Sequence, residues 1–423
     1  MHTSKTANSP FRVLFASLIG TTIEFFDFYI YATAAVLVFP TLFFPKGDAT
    51  IATLQSLATF ALAFFARPIG SALFGHYGDR IGRKATLVAA LMTMGLSTVL
   101  IGLLPTYESI GITATVLLCL CRIGQGIGLG GEWGGAVLLA IENAPENKRA
   151  LYGMFPQLGA PIGFICSTGV FLLLTHNLTD ADFFSWGWRI PFVASALLVI
   201  VGLYVRLSIE ETPAFKQAIE THKRVRVPIL TVLTQHGRVL ILGAFLAIAA
   251  FVVFYITTVF SLGWGTGKLG YTREDFLILQ LYAVFALIIT IWMSSIAADK
   301  IGRRAMLMIA GVAVVIFGLS FAPLLNSGSS LGILTMLVLG FSVMGFTYGS
   351  LGTALAEIFP TEVRYTGASL SFNLAGIIGA SLTPAIASWL GVNFGLAFVG
   401  YYISIAGLST FVAAFYLAKG LHR

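Results

Sequence analysis

The sequence predicts an all-α polytopic membrane protein with twelve transmembrane helices in two pseudo-symmetric six-helix bundles. Three observations predict this fold class. First, only 10 % of the 423 residues are charged and 57 % are hydrophobic, with a mean hydropathy of +0.90, whereas a soluble domain carries about 25 % charged residues. Second, the chain contains twelve long apolar runs. Third, two of its loop motifs occur twice, about half a chain apart.

Each apolar run is long enough to cross about 30 Å of hydrocarbon as a helix. The predicted spans, numbered 1 to 12, are 13-39, 51-76, 84-104, 111-140, 150-175, 187-206, 239-264, 276-298, 305-325, 330-356, 365-390 and 394-418. Of the 25 Lys and Arg residues, 19 fall on the side of the two termini, and only Lys46, Lys268 and Arg273 fall in the opposite loops. Because positive residues mark the cytoplasmic side, we expect both termini to be cytoplasmic.

Two loop motifs recur at nearly constant offsets. The pattern D-x-x-G-R-[KR] begins at Asp79 and again at Asp299, 220 residues later. The second pattern consists of three residues that follow span 4 and span 10 at an offset of 215 residues: Glu142, Pro145 and Arg149, and then Glu357, Pro360 and Arg364. We therefore predict an N-terminal bundle over 1-206, a cytoplasmic central loop over 207-238 and a C-terminal bundle over 239-423.

Charged residues inside the spans are confined to the N-terminal bundle. They are Glu24 and Asp27 in span 1, Arg67 in span 2, and Arg122 and Glu132 in span 4. A charge at the bilayer centre costs roughly 2.5–3.5 kcal/mol even on the insertion scale, so such a residue normally faces a partner or a watery cavity. All six histidines fall outside or at the edge of the spans, so proton carriage is expected to fall to carboxylates. Ion pairs that only hold helices in register are the alternative.

Span 4 is dense with glycine, which allows two interpretations. Gly126, Gly128 and Gly131 spell G-x-G-x-x-G, which marks a dinucleotide site only between a strand and a helix, and nothing nearby resembles a strand. Gly126, Gly130 and Gly134 recur every four residues and predict a flat face for close helix packing. The net charge of +7 comes from short loops without a basic arm for nucleic acid. Three cysteines inside spans indicate neither disulfides nor a zinc site.

The loop and span motifs together resemble the major facilitator superfamily over the whole chain. The resemblance rests on G-x-x-x-D-R-x-G-R-K after span 2, its repeat after span 8, and R-x-x-x-G in span 4. Four further segments are similar to its metabolite:proton symporter family, in the shikimate-transporter-like or an uncharacterised branch: E-F-F-D-F-Y-I-Y in span 1, A-R-P-I-G in span 2, R-I-G-Q-G-I-G-L-G-G-E-W-G-G in span 4 and E-E-T-P-A-F at 210 to 215. Members of that family carry shikimate, 2-oxoglutarate, citrate and other carboxylates, or proline and betaine.

The resemblance implies a secondary transporter of the bacterial inner membrane, and not an enzyme, that imports a small polar organic acid with protons by alternating access. We expect the protein to be a monomer surrounded by lipid. We also expect it to have no catalytic residues, to use no cofactor or metal and to bind no nucleic acid. Symport of a proline- or betaine-type zwitterion is one alternative. Proton-coupled export of drugs or metabolites by the same fold is another.

We assign proton coupling to Asp27, Glu24 and Arg122, which lie at a similar depth along their spans. If Asp27 or Glu24 pairs with Arg122 in the empty carrier, a substrate carboxylate can take the guanidinium, and the displaced acid then takes up a proton. Substrate binding is assigned to residues within the spans of both bundles: Arg122, Gln125, Arg67, Gln280 and Asn373.

A cytoplasmic gate is assigned to charged residues near the cytoplasmic ends of the spans, because ion pairs there would break when one bundle rocks against the other. The set comprises Asp79, Arg80, Arg83, Glu132, Glu142, Arg149, Asp299, Arg303, Glu357 and Arg364. The alternative is that these residues only determine topology and complement helix ends.

Overall fold

The computed structural model describes residues 10–81, 83–208, 228–360 and 363–417. Within these ranges every regular element is a helix and none is a strand. Helices α1 to α12 follow the predicted spans in order: Pro10–Leu37, Ala49–Ile81, Arg83–Leu103, Ile112–Glu142, Arg149–Asn177, Ile190–Ser208, Gly237–Gly267, Arg273–Ile301, Arg303–Asn326, Ser330–Glu357, Arg364–Asn393 and Leu396–Tyr416. Eleven are long and apolar enough to cross a membrane, and in α3 the described apolar part is the shorter Val88–Leu103. The predicted class of multi-pass membrane protein is confirmed.

Three of these helices are interrupted, which the sequence analysis did not predict. α4 consists of Ile112–Leu129 and Trp133–Glu142, separated by a turn at 130–132. α7 and α11 each contain a π-helical turn, Ile256–Phe260 and Ile377–Ser381. Such turns displace the backbone hydrogen-bond ladder and are frequent at functional sites. All three interruptions lie where helices of α1–α6 contact helices of α7–α12.

Short helices and side-chain caps organise the loops. The short elements are Phe39–Leu42, Tyr107–Ile110, Glu146–Lys148, Asp180–Ser185, Gly187–Arg189 and Pro228–Gln235. Before α2, the Asp48 carboxylate accepts from the backbone N–H groups of Thr50 at 2.7 Å and Ile51 at 3.1 Å. The N–H groups of Ile51 and Thr50 hold the pKa of that carboxyl below its usual value. Asp48 therefore fixes the start of α2 as an N-cap.

Helix α4 packs on α2 through glycine, as the four-residue spacing predicted. A Cβ on Gly126 would lie 2.3 Å from the Ala63 carbonyl oxygen, and one on Gly130 would lie 2.0 Å from the Arg67 carbonyl oxygen. Both glycines therefore let the α4 backbone touch the α2 backbone. Gly134 lies beyond the turn at 130–132 and faces α11 instead, where its Cβ would lie 2.0 Å from the Ser369 Oγ. The packing interpretation holds, but the three glycines contact two different helices.

We call α1–α6 the N-terminal half and α7–α12 the C-terminal half. In the first, α1 packs on α5, α2 on α4, and α3 on α6; in the second, α8 packs on α10, α9 on α12, and α7 on α10, α11 and α12. The halves meet where α5 contacts α8 and α10, and where α2 and α4 contact α11. The bundle boundaries at 206/207 and 238/239, and the cytoplasmic location of the termini, remain predictions.

Candidate transport site between the two halves

The five charged residues that the sequence analysis singled out are all buried. Their exposed fractions are 4 % for Glu24, 1 % for Asp27, 5 % for Arg67, 0 % for Arg122 and 3 % for Glu132. In the described part of the C-terminal half, Arg303 is the one buried charged side chain, and it lies at the first residue of α9. The predicted asymmetry between the halves is thus present in the structure.

Arg122 is held by neutral groups and aromatic rings. Its Nη1 donates to the Gln125 Oε1 at 2.9 Å, and its Nε and Nη2 donate to the Phe60 carbonyl at 3.4 Å. Its guanidinium carbon lies 4.4 Å from the ring centroid of Phe28, 4.0 Å from that of Tyr31 and 4.9 Å from that of Phe60. Among the described residues, none places a carboxylate oxygen within 4.0 Å of it. Cation–π contacts thus take the place of a counter-ion.

Asp27 faces α3 and α6 rather than Arg122. The Ser195 Oγ donates to its Oδ1 at 2.5 Å, and the Thr98 Oγ1 donates to its Oδ2 at 3.2 Å. The Gln125 Nε2 donates to the same Thr98 Oγ1 at 2.8 Å. Of the two pairings that the sequence analysis considered, that of Asp27 with Arg122 is therefore not formed in this structure, where two hydroxyl groups donate to the carboxylate instead. Thr98 and Gln125 connect the two residues instead.

Arg67 shares an aromatic ring with Arg122. Its guanidinium carbon lies 4.8 Å from the centroid of Phe28 and 4.6 Å from that of Phe64. Glu24 is the second buried carboxylate of α1 and lies three residues before Asp27.

Two cavities lie between the halves, and Tyr29 lines both. The larger, with a cavity volume of about 20 Å³, is lined by Phe25, Tyr29 and Ala160 on one side and by Ala250, Phe251, Phe254, Tyr255, Met344 and Tyr348 on the other. The smaller, with a cavity volume of about 10 Å³, is lined by Tyr29, Ala32, Thr33 and Phe164, and by Thr258, Val259, Leu262 and Gln280. Each half contributes one wall, as expected for a site that opens to alternate sides.

Tyr255 lies between the larger cavity and the two guanidiniums. Its ring centroid is 5.4 Å from that of Phe60, 5.8 Å from that of Phe64 and 6.3 Å from that of Phe28. These three rings cover Arg67 and Arg122. Tyr255 is also the last residue of α7 before its π-helical turn.

The structure places the two predicted amide ligands differently. Gln280 lines the smaller cavity, and its Nε2 donates to the carbonyls of Thr258 at 2.7 Å and Thr257 at 3.3 Å in the π-helical turn. The Nδ2 of Asn373 donates to the Ser71 Oγ at 2.7 Å and to the Gly130 carbonyl at 3.4 Å. Gln280 is thus at a cavity, whereas Asn373 joins the halves. Substrate contact by either residue remains a prediction.

Three of the predicted gate residues, Asp299, Arg303 and Glu357, form one compact cluster. The Asp299 carboxylate accepts from the backbone N–H groups of Ala150 and Leu151, both at 3.0 Å, at the start of α5. Arg303 lies 3.2 Å from Asp299 and 3.3 Å from Glu357. A carboxylate of the C-terminal half therefore caps a helix of the N-terminal half and meets its positive dipole end.

The other predicted gate residues lie outside this cluster or contribute differently. Arg149 contributes its backbone carbonyl, which accepts from the Thr353 Oγ1 at 3.3 Å. Glu142 is exposed, Glu132 is buried at the break in α4, and the Arg364 Nε donates to the Phe359 carbonyl at 3.3 Å. The side chains of Asp79, Arg80 and Arg83 lie outside the described residues. The gating role of the set remains a prediction.

The sequence analysis missed several polar residues that connect these elements. The Gln157 Oε1 accepts from the Trp133 Nε1 at 3.0 Å, and its Nε2 donates to the Tyr348 carbonyl at 3.1 Å. The rule that selected Gln280, an amide inside an apolar span, selects Gln157 equally well. Thr98 and Ser195 carried no such signal, because Ser and Thr commonly bond to their own helix backbone.

Comparison with known proteins places the chain among membrane transporters. Residues 17–376 match the family model described as Major Facilitator Superfamily. The chain is 58 % identical to the inner membrane metabolite transport protein YhjE of Escherichia coli K12, covering 95 % of this chain and 93 % of that protein. It is 36 % identical to the shikimate transporter of the same organism, covering 90 % and 88 %. The solved structure of the proton:xylose symporter XylE has the same fold, with a TM-score of 0.73, 18 % identity and coverage of 97 % and 95 %.

Proposed function

Because the chain belongs to the major facilitator superfamily of transporters, we propose that it imports a small organic carboxylate together with protons by alternating access. One observation carries the choice of substrate. Arg67 and Arg122 are buried behind Tyr255 and the aromatic rings that separate them from the larger cavity, and none of the described carboxylate oxygens lies within 4.0 Å of either guanidinium. A substrate carboxylate would gain charge-assisted hydrogen bonds of about 1.5–3 kcal/mol each there.

In the proposed cycle the substrate enters the aromatic cavity and its carboxylate reaches the guanidiniums once Tyr255 moves aside. Rocking of the C-terminal half carries Tyr255 with α7, and the π-helical turn that follows it supplies the local freedom. The planar forks of Arg67 and Arg122 suit a carboxylate, which can accept two N–H bonds from one guanidinium. Phe28, which contacts both guanidiniums, keeps them together.

Asp27 is proposed to carry the proton. It is buried within the N-terminal half, and its two hydrogen-bond donors are neutral hydroxyls. A monoanion that moves with one proton transfers no net charge. Each uncompensated charge would instead exchange about 2.3 kcal/mol per 100 mV with the membrane potential. Proton coupling therefore lets the carrier take up an anion against a negative interior.

Alternating access is proposed to use the Asp299 cluster as the latch at one end of α5. Opening at that end separates the Asp299 carboxylate from the N–H groups of Ala150 and Leu151. The name of the YhjE relative supports a location in the bacterial inner membrane. We propose that one chain with its surrounding lipid is the transporting unit.

A zwitterion with a quaternary ammonium is the second candidate substrate. The larger cavity presents Phe25, Tyr29, Phe254, Tyr255 and Tyr348, and aromatic faces bind such cations. The carboxylate of a betaine would still occupy the guanidiniums. The two candidates differ in what fills the aromatic cavity: an uncharged polar ring or chain for the acid, and a cation for the zwitterion.

Counterflow in proteoliposomes tests the substrate assignment without an imposed proton gradient. Vesicles preloaded with unlabelled shikimate, 2-oxoglutarate, citrate, proline or glycine betaine are mixed with the same compound in labelled form. We expect exchange of a carboxylate, reduced at least about tenfold in Arg122→Gln, since one lost charge-assisted bond of about 1.4 kcal/mol or more suffices. Arg238→Gln is the matched control, because Arg238 is exposed at the start of α7. Equal exchange in Arg122→Gln and wild type would remove Arg122 from the site, and exchange of betaine alone would select the zwitterion.

A further inference from the structure

We propose that Thr98 and Gln125 are positioning residues that couple the protonation of Asp27 to the anion affinity of Arg122. The inference deepens the proposed symport and rests on it for its biological meaning. It concerns a chain of four side chains from three helices: Arg122 and Gln125 on α4, Thr98 on α3 and Asp27 on α1.

The three hydrogen bonds that connect these four side chains are all donated in the same direction, from Arg122 toward Asp27. The Arg122 Nη1 donates to the Gln125 Oε1 at 2.9 Å, the Gln125 Nε2 donates to the Thr98 Oγ1 at 2.8 Å, and the Thr98 hydroxyl donates to the Asp27 Oδ2 at 3.2 Å. A cation thus lies at the donor end and a carboxylate at the acceptor end. Hydrogen bonds aligned in this way polarise one another, so each neutral link is strengthened by the charges at both ends. Arg122 and Asp27 are thus not in direct contact but are connected through two neutral side chains, those of Gln125 and Thr98.

Thr98 gives the chain an alternative arrangement. Its single hydroxyl proton has two acceptors in reach, the Asp27 Oδ2 at 3.2 Å and the Met94 carbonyl at 3.0 Å. While Asp27 is ionised, the carboxylate is the stronger acceptor. When Asp27 binds a proton from the aqueous phase, its charge goes from −1 to 0, the hydroxyl of Thr98 turns to Met94, and Thr98 accepts from the new Asp27 O–H. The series of hydrogen bonds then no longer ends at a negative charge.

The coupling is positive, as a symporter requires: protonation of Asp27 raises the affinity of Arg122 for an anion. Neutral Asp27 no longer polarises Gln125, so the bond from Arg122 to Gln125 weakens and a guanidinium N–H becomes available to a substrate carboxylate. Conversely, an anion bound to Arg122 weakens the chain from its other end and favours protonation of Asp27. The two effects are equal by linkage.

Asp27 shares this bundle with other buried charged groups. Among the described residues of the N-terminal half these are Glu24 on α1, Arg67 on α2, and Arg122 and Glu132 on α4. The described contacts of Asp27 from α3 and α6 are the uncharged Thr98 and Ser195. The buried tyrosines of α1 and α7, Tyr29, Tyr31 and Tyr255, do not change charge near neutral pH.

A double-mutant cycle on the purified full chain tests the coupling without a transported substrate. Infrared difference spectroscopy follows the carboxyl band of protonated Asp27, identified as the band that Asp27→Asn removes, as a function of pH. Arg122→Gln removes the cation and should raise the pH midpoint by about one unit, a tenfold change in proton affinity. In a Thr98→Val background the same substitution should shift the midpoint by less than about a third of that. Thr98→Ser, which keeps the hydroxyl, should restore the full shift.

Two further variants keep the test decisive. Gln125→Met breaks the chain at its other link and should abolish the coupling as Thr98→Val does, which covers the case that one variant does not fold. Thr93→Val is the matched control on α3, because the Thr93 hydroxyl donates only to its own helix, at the Ala89 carbonyl. If Arg122→Gln shifts the pH midpoint of Asp27 by the full amount in both the Thr98→Val and the Gln125→Met backgrounds, the hydrogen-bonded connection does not carry the coupling and the proposal is refuted. Intact coupling in a protein without proton-driven uptake would instead refute the proposed symport alone.

Discussion

The contact of α4 with α2 gives a prediction whose magnitude follows from the structure. In Gly130→Ala the new Cβ would lie 2.0 Å from the Arg67 carbonyl oxygen and 2.8 Å from the Ser71 nitrogen. Ordinary contact requires at least 3.4 Å, which is 1.4 Å more than the 2.0 Å to the Arg67 carbonyl oxygen, so the helix backbones must separate by about 1.4 Å at this point. Overpacking of this kind costs about 1–3 kcal/mol. The Gly130 carbonyl also accepts from the Ser71 Oγ and the Asn373 Nδ2, so the separation strains the junction of α2, α4 and α11.

Gly169→Ala is the matched control, since a Cβ there would meet nothing within 4 Å. Alanine is a better helix former than glycine by about 0.8–1.0 kcal/mol, so this variant should be as stable as wild type or more stable. Reversible unfolding in mixed detergent micelles measures the free energy of unfolding of all three proteins. We expect Gly130→Ala to lose about 1–3 kcal/mol. Equal stability of the Gly130 and Gly169 variants would refute the inference that glycine is required for this close approach.

Three further predictions follow from the charged residues. Asp27→Asn should abolish accumulation driven by a proton gradient and leave counterflow intact, as measured by both assays on the same vesicles; undiminished accumulation would exclude Asp27 from coupling. Asp299→Asn should raise the labelling rate of a cysteine placed at Ala150 about tenfold or more, because at least one charge-assisted bond of about 1.5–3 kcal/mol is lost; an unchanged rate would argue against the latch. Asp48, whose folded-state pKa is lowered, stabilises the start of α2 above the unfolded pKa of about 3.9 and loses this effect as pH falls through the folded value. Hydrogen exchange at Thr50 should therefore accelerate, beyond its intrinsic pH dependence, only below about pH 4.

The fold was largely predictable because the bilayer imposes it. Twelve apolar runs, a repeated loop motif and the glycine spacing of α4 are properties of the sequence that hydropathy and helix geometry interpret directly. The breaks were not predictable from the same signals. The turn at 130–132 and the π-helical turn at Ile256–Phe260 lie inside continuous apolar runs, and their stability depends on contacts with other helices, such as the amide of Gln280.

The site was predictable in its components but not in its connections. Burial of Asp27 and Arg122 followed from the cost of charge in a membrane. Position along a helix gives depth, however, and not the direction in which a side chain points across the bundle. Asp27 therefore contacts Thr98 and Ser195 on two helices that sequence analysis did not connect with it. The relation of Asp27 to Arg122 became visible only with the intervening Gln125 and Thr98 in place.

Proton-driven uptake of a carboxylate is the central claim, and one measurement tests it most directly. Proteoliposomes containing the wild-type chain receive an inward proton gradient, and uptake of labelled shikimate, 2-oxoglutarate and citrate is followed with and without a protonophore. Accumulation of one of these acids above its external concentration, abolished by the protonophore, is the predicted result. If uptake stops when the internal and external concentrations of the acid are equal, and is the same with and without the protonophore, proton coupling is contradicted. Absence of uptake for all three, in vesicles that release a preloaded compound when the gradient is applied, would identify an exporter.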